Sequence, residues 1–239
     1  MTEQRSDGLA GEPTALHRRG GWASAHRGAV AAAVSGLVVV AVLAALSLVP
    51  GPNRSGDSVV ILGDSITEFG QDHLADVLGE DYELTVDGVF GARTGDRIDS
   101  AAAAAAAHPD QVVVNLGTND VVVGTPLDQV REDLDRLLGQ LDSVECVHVV
   151  TVGENLVSDG LSLPRAGRAV NAQIAEVTAQ HPNAELLHWD RVQNAAGLRR
   201  DDPQALLFDG IHPDGDGLLV LAEGYAGALG DCGRPWYLP

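Results

Sequence analysis

The sequence contains no lysine, since all 15 of its basic residues are arginines, and these face 34 acidic residues for a net charge of −19. The imbalance is confined to one part of the chain. Residues 1–57 carry a net charge of +1, and the remainder carries −20. A domain this acidic repels phosphate backbones, so nucleic-acid binding is not expected.

Aromatic residues and cysteines are also scarce. Aromatics make up 4% of the chain and apolar residues 45%, so that Val, Leu, Ile and Ala must build most of the core. Only two cysteines are present, Cys146 and Cys232; they fit an oxidising compartment but could equally be two free thiols. The 239 residues suit one domain of ordinary size plus an appendage.

The appendage is N-terminal and apolar. No charged residue occurs between Arg27 and Arg54, and the segment 28–50 is dominated by Ala, Val and Leu. About 20 such residues span the hydrocarbon core as a helix. Because Arg18, Arg19 and Arg27 precede the segment, the positive-inside rule places the N-terminus in the cytoplasm and the rest outside.

These features predict a domain organisation. Residues 1–27 form a disordered cytoplasmic N-terminus, 28–50 a transmembrane helix or signal anchor, 51–57 a linker, 58–232 the main folded domain and 233–239 a C-terminal tail. The expected location is the cell membrane, with a single pass and an extracytoplasmic domain. The alternative is a signal peptide cleaved after a weak site at Ala45-Leu46-Ser47, which would give a secreted protein.

From Ser58 onward, strand and helix patterns alternate. Short apolar runs predict strands at Val59–Leu62, Glu83–Val86, Val112–Leu116, Val147–Val152 and Glu185–Leu187. Longer periodic stretches predict helices at Gln71–Leu78, Arg97–Ala107, Leu127–Leu141, Pro164–Gln180 and Gly215–Leu229. This alternation is typical of a parallel sheet with helices on both faces, an α/β fold.

Four polar loops fall at the same edge of this predicted sheet. Three of them, 63–67, 87–91 and 117–120, follow the first three strands, and the fourth, 209–213, precedes the last helix. Ligands of open α/β sheets bind beyond the carboxyl ends of the strands. The predicted site therefore lies where these loops meet.

The residues in these loops suit acyl transfer. Ser65 needs a base to become a nucleophile, and His212 is suited to that role because its intrinsic pKa is near neutral. Asp209 can orient the imidazole and stabilise its charged form. Three donors can form an oxyanion hole: the backbone N–H groups of Ser65 and Gly91, and the side-chain amide of Asn119.

Each motif alone has a simpler interpretation. Gly63-Asp64-Ser65 is a common turn, and Gly-Thr-Asn-Asp at 117–120 is a plausible capped turn between strand and helix. Asp209-x-x-His212 could be a surface loop or half of a metal site. Only the combination of all four motifs at one sheet edge favours catalysis.

Together the motifs resemble the SGNH, or GDSL, hydrolase family, which is named after a Ser, a Gly, an Asn and a His in four separate blocks. The matching residues are Ser65, Gly91, Asn119 and His212, and the resemblance covers about residues 58–230. It implies a three-layer α/β/α, flavodoxin-like fold. It also implies esterase, lipase or acyltransferase chemistry on a small-molecule or glycan ester, with no metal and no cofactor.

A weaker similarity is to the extracytoplasmic domain of cell-wall O-acetyltransferases. It rests on Asp87 to Arg93, Val170-Asn171, Trp189 and the loop of Asp209 and His212. Those proteins usually carry a large membrane domain, whereas this chain has one predicted helix. The expected function is ester hydrolysis, and the alternatives are O-acyl transfer to an envelope glycan or a catalytically idle binding domain. The chain could be a stand-alone esterase or work with a separate protein partner.

Two further expectations concern single residues. Arg93 and Glu154 lie past strand ends, where they could contact substrate or simply be exposed. Cys146 opens the fourth predicted strand at the amino edge of the sheet, and the last helix, antiparallel to the strands, ends just before Cys232. The two thiols should therefore meet as a disulfide in an oxidising compartment, the alternative being two unpaired buried cysteines.

Overall fold

The computed structural model describes residues 56–232 of the chain. Across this range no helix combines the length and apolar character that crossing a bilayer requires. The predicted membrane segment 28–50, the N-terminus 1–27, most of the linker 51–57 and the tail 233–239 lie outside the described residues.

The described residues form a central parallel sheet with helices between its strands. The strands and the small hairpin β5–β6 are β1 Ser58–Gly63, β2 Glu83–Gly88, β3 Gln111–Asn115, β4 Cys146–Val150, β5 Val157–Ser158, β6 Leu161–Ser162 and β7 Ala184–Leu187. The helices are α1 Ser65–Phe69, α2 Gln71–Leu78, α3 Ile98–Ala106, α4 Thr118–Val123, α5 Leu127–Gln140, α6 Pro164–Thr178, α7 Trp189–Arg200 and α8 Gly215–Asp231, with a 3₁₀ turn at Thr94–Arg97.

The strand order is β2-β1-β3-β4-β7, and every pair in this sheet is parallel. This is the order of flavodoxin-like sheets, as the sequence predicts. The chain leaves β1 toward one edge to form β2 and then returns past β1 to form β3. The strand order therefore reverses between β1 and β3, and the loops after these two strands face each other across the switch point.

Alternation along the strands creates two cores, one on each face of the sheet. In β1, Val60 and Leu62 join the core beneath α3, α5 and α6, whereas Val59 and Ile61 join the core beneath α1, α2, α7 and α8. Strand β3 is buried along its whole length. The three-layer architecture follows, because a strand buried on both faces needs helices on both sides.

The structure contains three helices whose bounds the sequence patterns did not predict, α1, α4 and α7, of which α1 has only five residues. Helix α7 buries Trp189, Gln193 and Gly197, which are spaced four residues apart on one face. Only Trp189 is a large apolar residue, so the buried face of this helix shows no repeating apolar pattern in the sequence. Helix α4 has six residues, too few for a periodic pattern.

The predicted disulfide is present. It joins Cys146, the first residue of β4, to Cys232, the C-cap of α8, with a Cα–Cα distance of 6.0 Å. Both residues are buried. The bond ties the end of the last helix to the amino edge of the sheet, at the opposite end from the loops that follow the strands.

Removing this bond should lower the free energy of unfolding. The bridge closes a loop with a sequence separation of 86 residues, and the chain-entropy model assigns about 4.5 kcal/mol to a loop of that size. We expect the double substitution Cys146→Ala and Cys232→Ala to lose an amount of this order in urea unfolding. Reduced wild-type protein is the control, because it lacks the bond but keeps both sulfurs. Equal stability of the reduced and oxidised wild type would contradict the prediction.

Candidate active site

The first side chain of the site is Ser65, the first residue of α1, immediately after β1. The turn is tight: a Cβ on Gly63 would collide with the Thr67 hydroxyl. Asp64 caps the helix by accepting a hydrogen bond from the Ile66 N–H at 2.9 Å. As a result the Ser65 hydroxyl projects from the carboxyl end of a central strand, although the residue as a whole is only 4% exposed.

The second side chain, His212, belongs to a short, closed loop before α8. The loop is bridged at its base between Leu207 and Pro213, and the Phe208 N–H donates to the His212 carbonyl at 3.0 Å. Gly210 has φ +90°, and a Cβ there would approach the Val157 carbonyl to 2.8 Å. Only glycine adopts that conformation in that space without strain.

The two side chains meet across 147 residues of sequence. Ser65 Oγ lies 2.9 Å from His212 Nε2, and Asp209 Oδ2 lies 2.7 Å from His212 Nδ1. Asp209 Oδ1 also accepts from the backbone N–H groups of Ile211, at 2.9 Å, and His212, at 2.8 Å. The carboxylate thus fixes both the loop and the imidazole, leaving Nε2 directed at the serine hydroxyl.

Asp209 is held in its ionised form. Burial alone would raise its pKa, but the hydrogen bonds from the His212 backbone, the His212 ring and the Ile211 backbone outweigh it and lower the pKa below its usual value. A carboxylate in this state stabilises a positive charge on the neighbouring imidazole.

Gly91 occupies a turn that is anchored to β1. The Val89 N–H donates to the Gly63 carbonyl at 3.1 Å, and the Ala92 N–H donates to the Val89 carbonyl at 3.2 Å. Gly91 is the third residue of this turn and has φ +74°, as a type II turn requires. The turn brings the Gly91 backbone beside the start of α1.

Asn119 lies across the switch point, in the first turn of α4. Its Nδ2 donates to the Ala92 carbonyl at 3.0 Å and to Asp64 Oδ2 at 3.3 Å. The next residue, Asp120, is buried and accepts from the backbone and the hydroxyl of Thr94, at 2.9 and 2.8 Å. These bonds connect the loops after β1, β2 and β3 to one another beneath the site.

The carboxyl of Asp64, which lies among these connected loops, has an unusual pKa. Burial raises its pKa to about 7, even though the hydrogen bond from Ile66 and the charge on His212 act to lower it. Because the folded state keeps a proton that the unfolded chain loses near the ordinary value of 3.8, stability contributed by this group is present at low pH and is lost as the pH rises toward 7.

Replacing Asp64 by asparagine should remove that pH dependence. A shift of about three pKa units corresponds to a change on the order of 4 kcal/mol in the free energy of unfolding between pH 4 and pH 8. We expect the difference in unfolding free energy between wild type and Asp64→Asn to change by about this amount between pH 4 and pH 8. The amide can also shift the stability by a constant amount, but that shift does not depend on pH. Urea unfolding at a series of pH values measures it, with the exposed Asp72→Asn as control. A difference that stays constant with pH would contradict the assignment.

The two residues expected to contact substrate have partners within the chain. Arg93 is paired with Asp96 at 3.0 Å, on the rim of a cleft of about 520 Å³ that neither Ser65 nor His212 lines. Glu154 Oε2 accepts from Asn194 at 3.3 Å and lies 3.7 Å from Arg168. That Arg93 and Glu154 contact the substrate remains a prediction.

The sequence patterns missed the aromatic surroundings of His212. Phe69, Phe90 and Phe208 have ring centroids 5.0, 6.5 and 5.7 Å from that of the imidazole. They are the only three phenylalanines in the chain. A signal was available, because each is within four residues of Ser65, Gly91 or Asp209.

Comparison with known proteins agrees with this geometry. Residues 61–218 match the model of the GDSL-like lipase/acylhydrolase family. A search of curated proteins gives no match.

Several solved structures share the fold. An acetylxylan esterase from Geobacillus stearothermophilus aligns with a TM-score of 0.63 at 18% identity, covering 77% of this chain and 97% of its own. An α/β hydrolase from the metagenome of Lake Arreo, Spain, gives 0.61 at 20%, covering 74% and 96%. The lipase/acylhydrolase of Enterococcus faecalis gives 0.61 at 19%, covering 73% and 95%.

At this level of identity the solved structures establish only the fold, whereas the family model covers well over half of the chain and includes Ser65, Gly91, Asn119 and His212. The chain therefore belongs to the GDSL-like lipase/acylhydrolase family, the SGNH hydrolases, and is a serine ester hydrolase.

Proposed function

We propose that the protein cleaves a carboxylic ester by means of a Ser65–His212–Asp209 triad and a covalent acyl-enzyme. The observation that carries the proposal is the continuous hydrogen-bonded chain from Ser65 Oγ through both ring nitrogens of His212 to Asp209, with steps of 2.9 and 2.7 Å. Those distances fall within the reach required for proton transfer.

In the first half of the reaction, Ser65 Oγ attacks the carbonyl carbon of the ester while His212 Nε2 takes the hydroxyl proton. The tetrahedral intermediate collapses, the bond between carbon and the leaving oxygen breaks, and His212 returns the proton to that oxygen. In the second half, water attacks the carbonyl carbon of the acyl-enzyme while His212 Nε2 takes a proton from it. The bond to Ser65 Oγ then breaks, and His212 returns the proton to that oxygen. The products are a carboxylic acid and an alcohol.

The negative oxygen of the intermediate needs donors, and the loops around Ser65 supply them. The Ser65 N–H lies in the first turn of α1, where backbone N–H groups have no acceptor within the helix. The Gly91 N–H belongs to an exposed turn with φ +74°. The Asn119 amide already donates to Ala92 and Asp64, so we propose that it exchanges one of these acceptors for the oxyanion.

We expect Asn119→Ala to lower turnover by about 10²–10³, the cost of losing one oxyanion donor. Steady-state kinetics on an acetate ester measures this. Because Asn119 also joins the loops after β1 and β2, the melting temperature must be measured in parallel. Gln140→Ala, which removes an exposed amide at the end of α5, is the matched control. Unchanged turnover in Asn119→Ala would remove Asn119 from the mechanism.

We propose a short-chain ester, such as an acetyl group on a glycan of the cell envelope, as substrate. Support comes from the fold shared with acetylxylan esterases and from the export signal predicted for 28–50. The test follows acetate released from p-nitrophenyl acetate and from acetylated glycans, and in parallel acetyl transfer to a sugar acceptor. Transfer in place of acetate release would favour an acyltransferase. A protein that releases no acid and whose Ser65 resists a fluorophosphonate probe would be a binding domain.

We propose that the N-terminal segment holds this domain on the outer side of the cell membrane. The proposal rests on the composition of 28–50 and on the arginines that precede it. A C-terminal tag should then be protease-accessible from outside while the protein stays in the membrane fraction. Recovery of a soluble product that begins near residue 48 would indicate cleavage instead.

A further inference from the structure

The three phenylalanines beside His212, here called the collar (Phe69, Phe90 and Phe208), are exposed to an unusual degree. Their exposed fractions are 45%, 67% and 63%, whereas Trp189 and Tyr225 are 4% and 1% exposed. Phenylalanine has no polar atom that would explain a position in water. In the described part of the chain, Trp189 and Tyr225 are buried and Tyr82 is half-buried against the core, whereas all three phenylalanines lie exposed beside His212.

The three rings surround the imidazole as an open surface and do not fill a closed pocket. Phe90 and Phe208 each lie within 21° of the plane of the imidazole. Phe69 is tilted by 56° to both Phe90 and the imidazole, with its centroid 6.1 Å from that of Phe90. Exposed ring surfaces on Phe90, Phe208 and Phe69, all beside the imidazole, suit a flat, ring-shaped group better than an extended chain.

The chemistry of the triad decides which half of the ester meets this surface. His212 Nε2 takes the proton from Ser65 and gives it to the leaving oxygen, so that oxygen must come within hydrogen-bond distance of Nε2. The atoms attached to the leaving oxygen are those of the alcohol. With centroids 5.0 to 6.5 Å from the imidazole, the collar is within reach of the alcohol half.

We propose that the collar is the alcohol subsite and selects esters whose alcohol oxygen is carried on a six-membered ring, with the C–H face of the ring packed on Phe90 and Phe208. This inference rests on the proposed function and names its substrate class. A pyranose and a cyclohexyl or aryl alcohol share the required face, and the substrates below separate these sources.

The decisive comparison uses cyclohexyl acetate and isopropyl acetate. Both are acetates of secondary alcohols and differ in the ring. We expect Phe90→Ala and Phe208→Ala each to reduce the ratio of kcat/KM for cyclohexyl over isopropyl acetate by about three- to tenfold, the range for losing one ring contact. Phe90→Tyr keeps the ring and should keep the ratio. Leu198→Ala, which removes a side chain that is 86% exposed on α7, is the control.

Two further substrate series separate the alternatives. Phenyl acetate and a monoacetylated methyl pyranoside show whether an aryl or a sugar ring gains most from the collar. Isopropyl esters of lengthening acids test the acyl half. If the collar variants lose activity in step with acyl length while the ratio of cyclohexyl to isopropyl acetate is unchanged, the assignment to the alcohol is wrong. The same conclusion follows if they lose only binding to phosphatidylcholine vesicles, which would make the collar a membrane contact.

A binding measurement separates this inference from the proposed function. Saturation-transfer NMR follows cyclohexanol and a methyl pyranoside on the Ser65→Ala protein, which cannot form an acyl-enzyme. Binding that is lost in the double variant Ser65→Ala, Phe90→Ala supports the collar even if the wild type hydrolyses no ester tested. Equal binding to both proteins, with an active wild type, overturns the collar and leaves the triad intact.

Discussion

Ser65→Ala is expected to reduce ester hydrolysis by about 10⁴–10⁶ in kcat, because the proposed triad acts as a unit and the remaining groups supply only the residual catalysis of binding and oxyanion donors. The structure makes this variant easy to interpret. Ser65 Oγ has His212 Nε2 as its partner at 2.9 Å, and the cap of α1 is made by the Asp64 side chain rather than by Ser65. Loss of the hydroxyl should therefore leave the fold unchanged.

The measurement is steady-state hydrolysis of p-nitrophenyl acetate, with mass spectrometry of the fluorophosphonate-treated protein as a second readout. Ser143→Ala, a serine in the exposed turn before β4, is the matched control and should behave as wild type. Labelling should occur on the wild type and on Ser143→Ala but not on Ser65→Ala. Near-normal hydrolysis by purified Ser65→Ala would identify a different nucleophile.

His212→Ala is expected to cost nearly as much, since an unassisted serine hydroxyl is a poor nucleophile. The double variant Ser65→Ala, His212→Ala should be no slower than either single variant, because both remove the same proton-transfer step. Asp209→Asn should lose activity by about 10⁴, because it keeps a similar shape but cannot stabilise the imidazolium.

An exposed histidine at the opposite edge of the sheet serves as the control. His108 is exposed at the amino edge of the sheet with φ +54°, and His108→Asn preserves that conformation because asparagine tolerates positive φ. Its turnover should match that of the wild type. Additive losses in the double variant, or a His212→Ala protein as active as His108→Asn, would show that His212 is not the base.

The sheet and the approach of the four motifs were predictable from sequence because their causes are local. Buried strands such as Val112-Val113-Val114 show themselves as apolar runs, and parallel strands bring their following loops to one edge whatever the details of packing. The disulfide followed from the same topology, because a helix antiparallel to the strands must end at the amino edge.

What sequence did not predict depends on distant packing. Helix α7 buries Gln193 between Trp189 and Gly197, and no local pattern marks a buried glutamine as part of a core stripe. The hydrogen bonds of Asn119 to Ala92 and Asp64 require the loops of three strands to be in place. The collar was missed for a related reason: its rings come from α1 and from two loops distant in sequence, and they share only their proximity to His212.

The proposed triad pairs a residue that follows the first strand with a residue that precedes the last helix, so activity requires both ends of the domain. Ser65 follows β1, and two residues separate His212 from α8, so the two side chains meet only after nearly the whole domain has been synthesised and has folded. A nascent chain that ends between them holds the proposed nucleophile without its proposed base. With the proposed triad, ester turnover requires a chain that has been synthesised at least through His212.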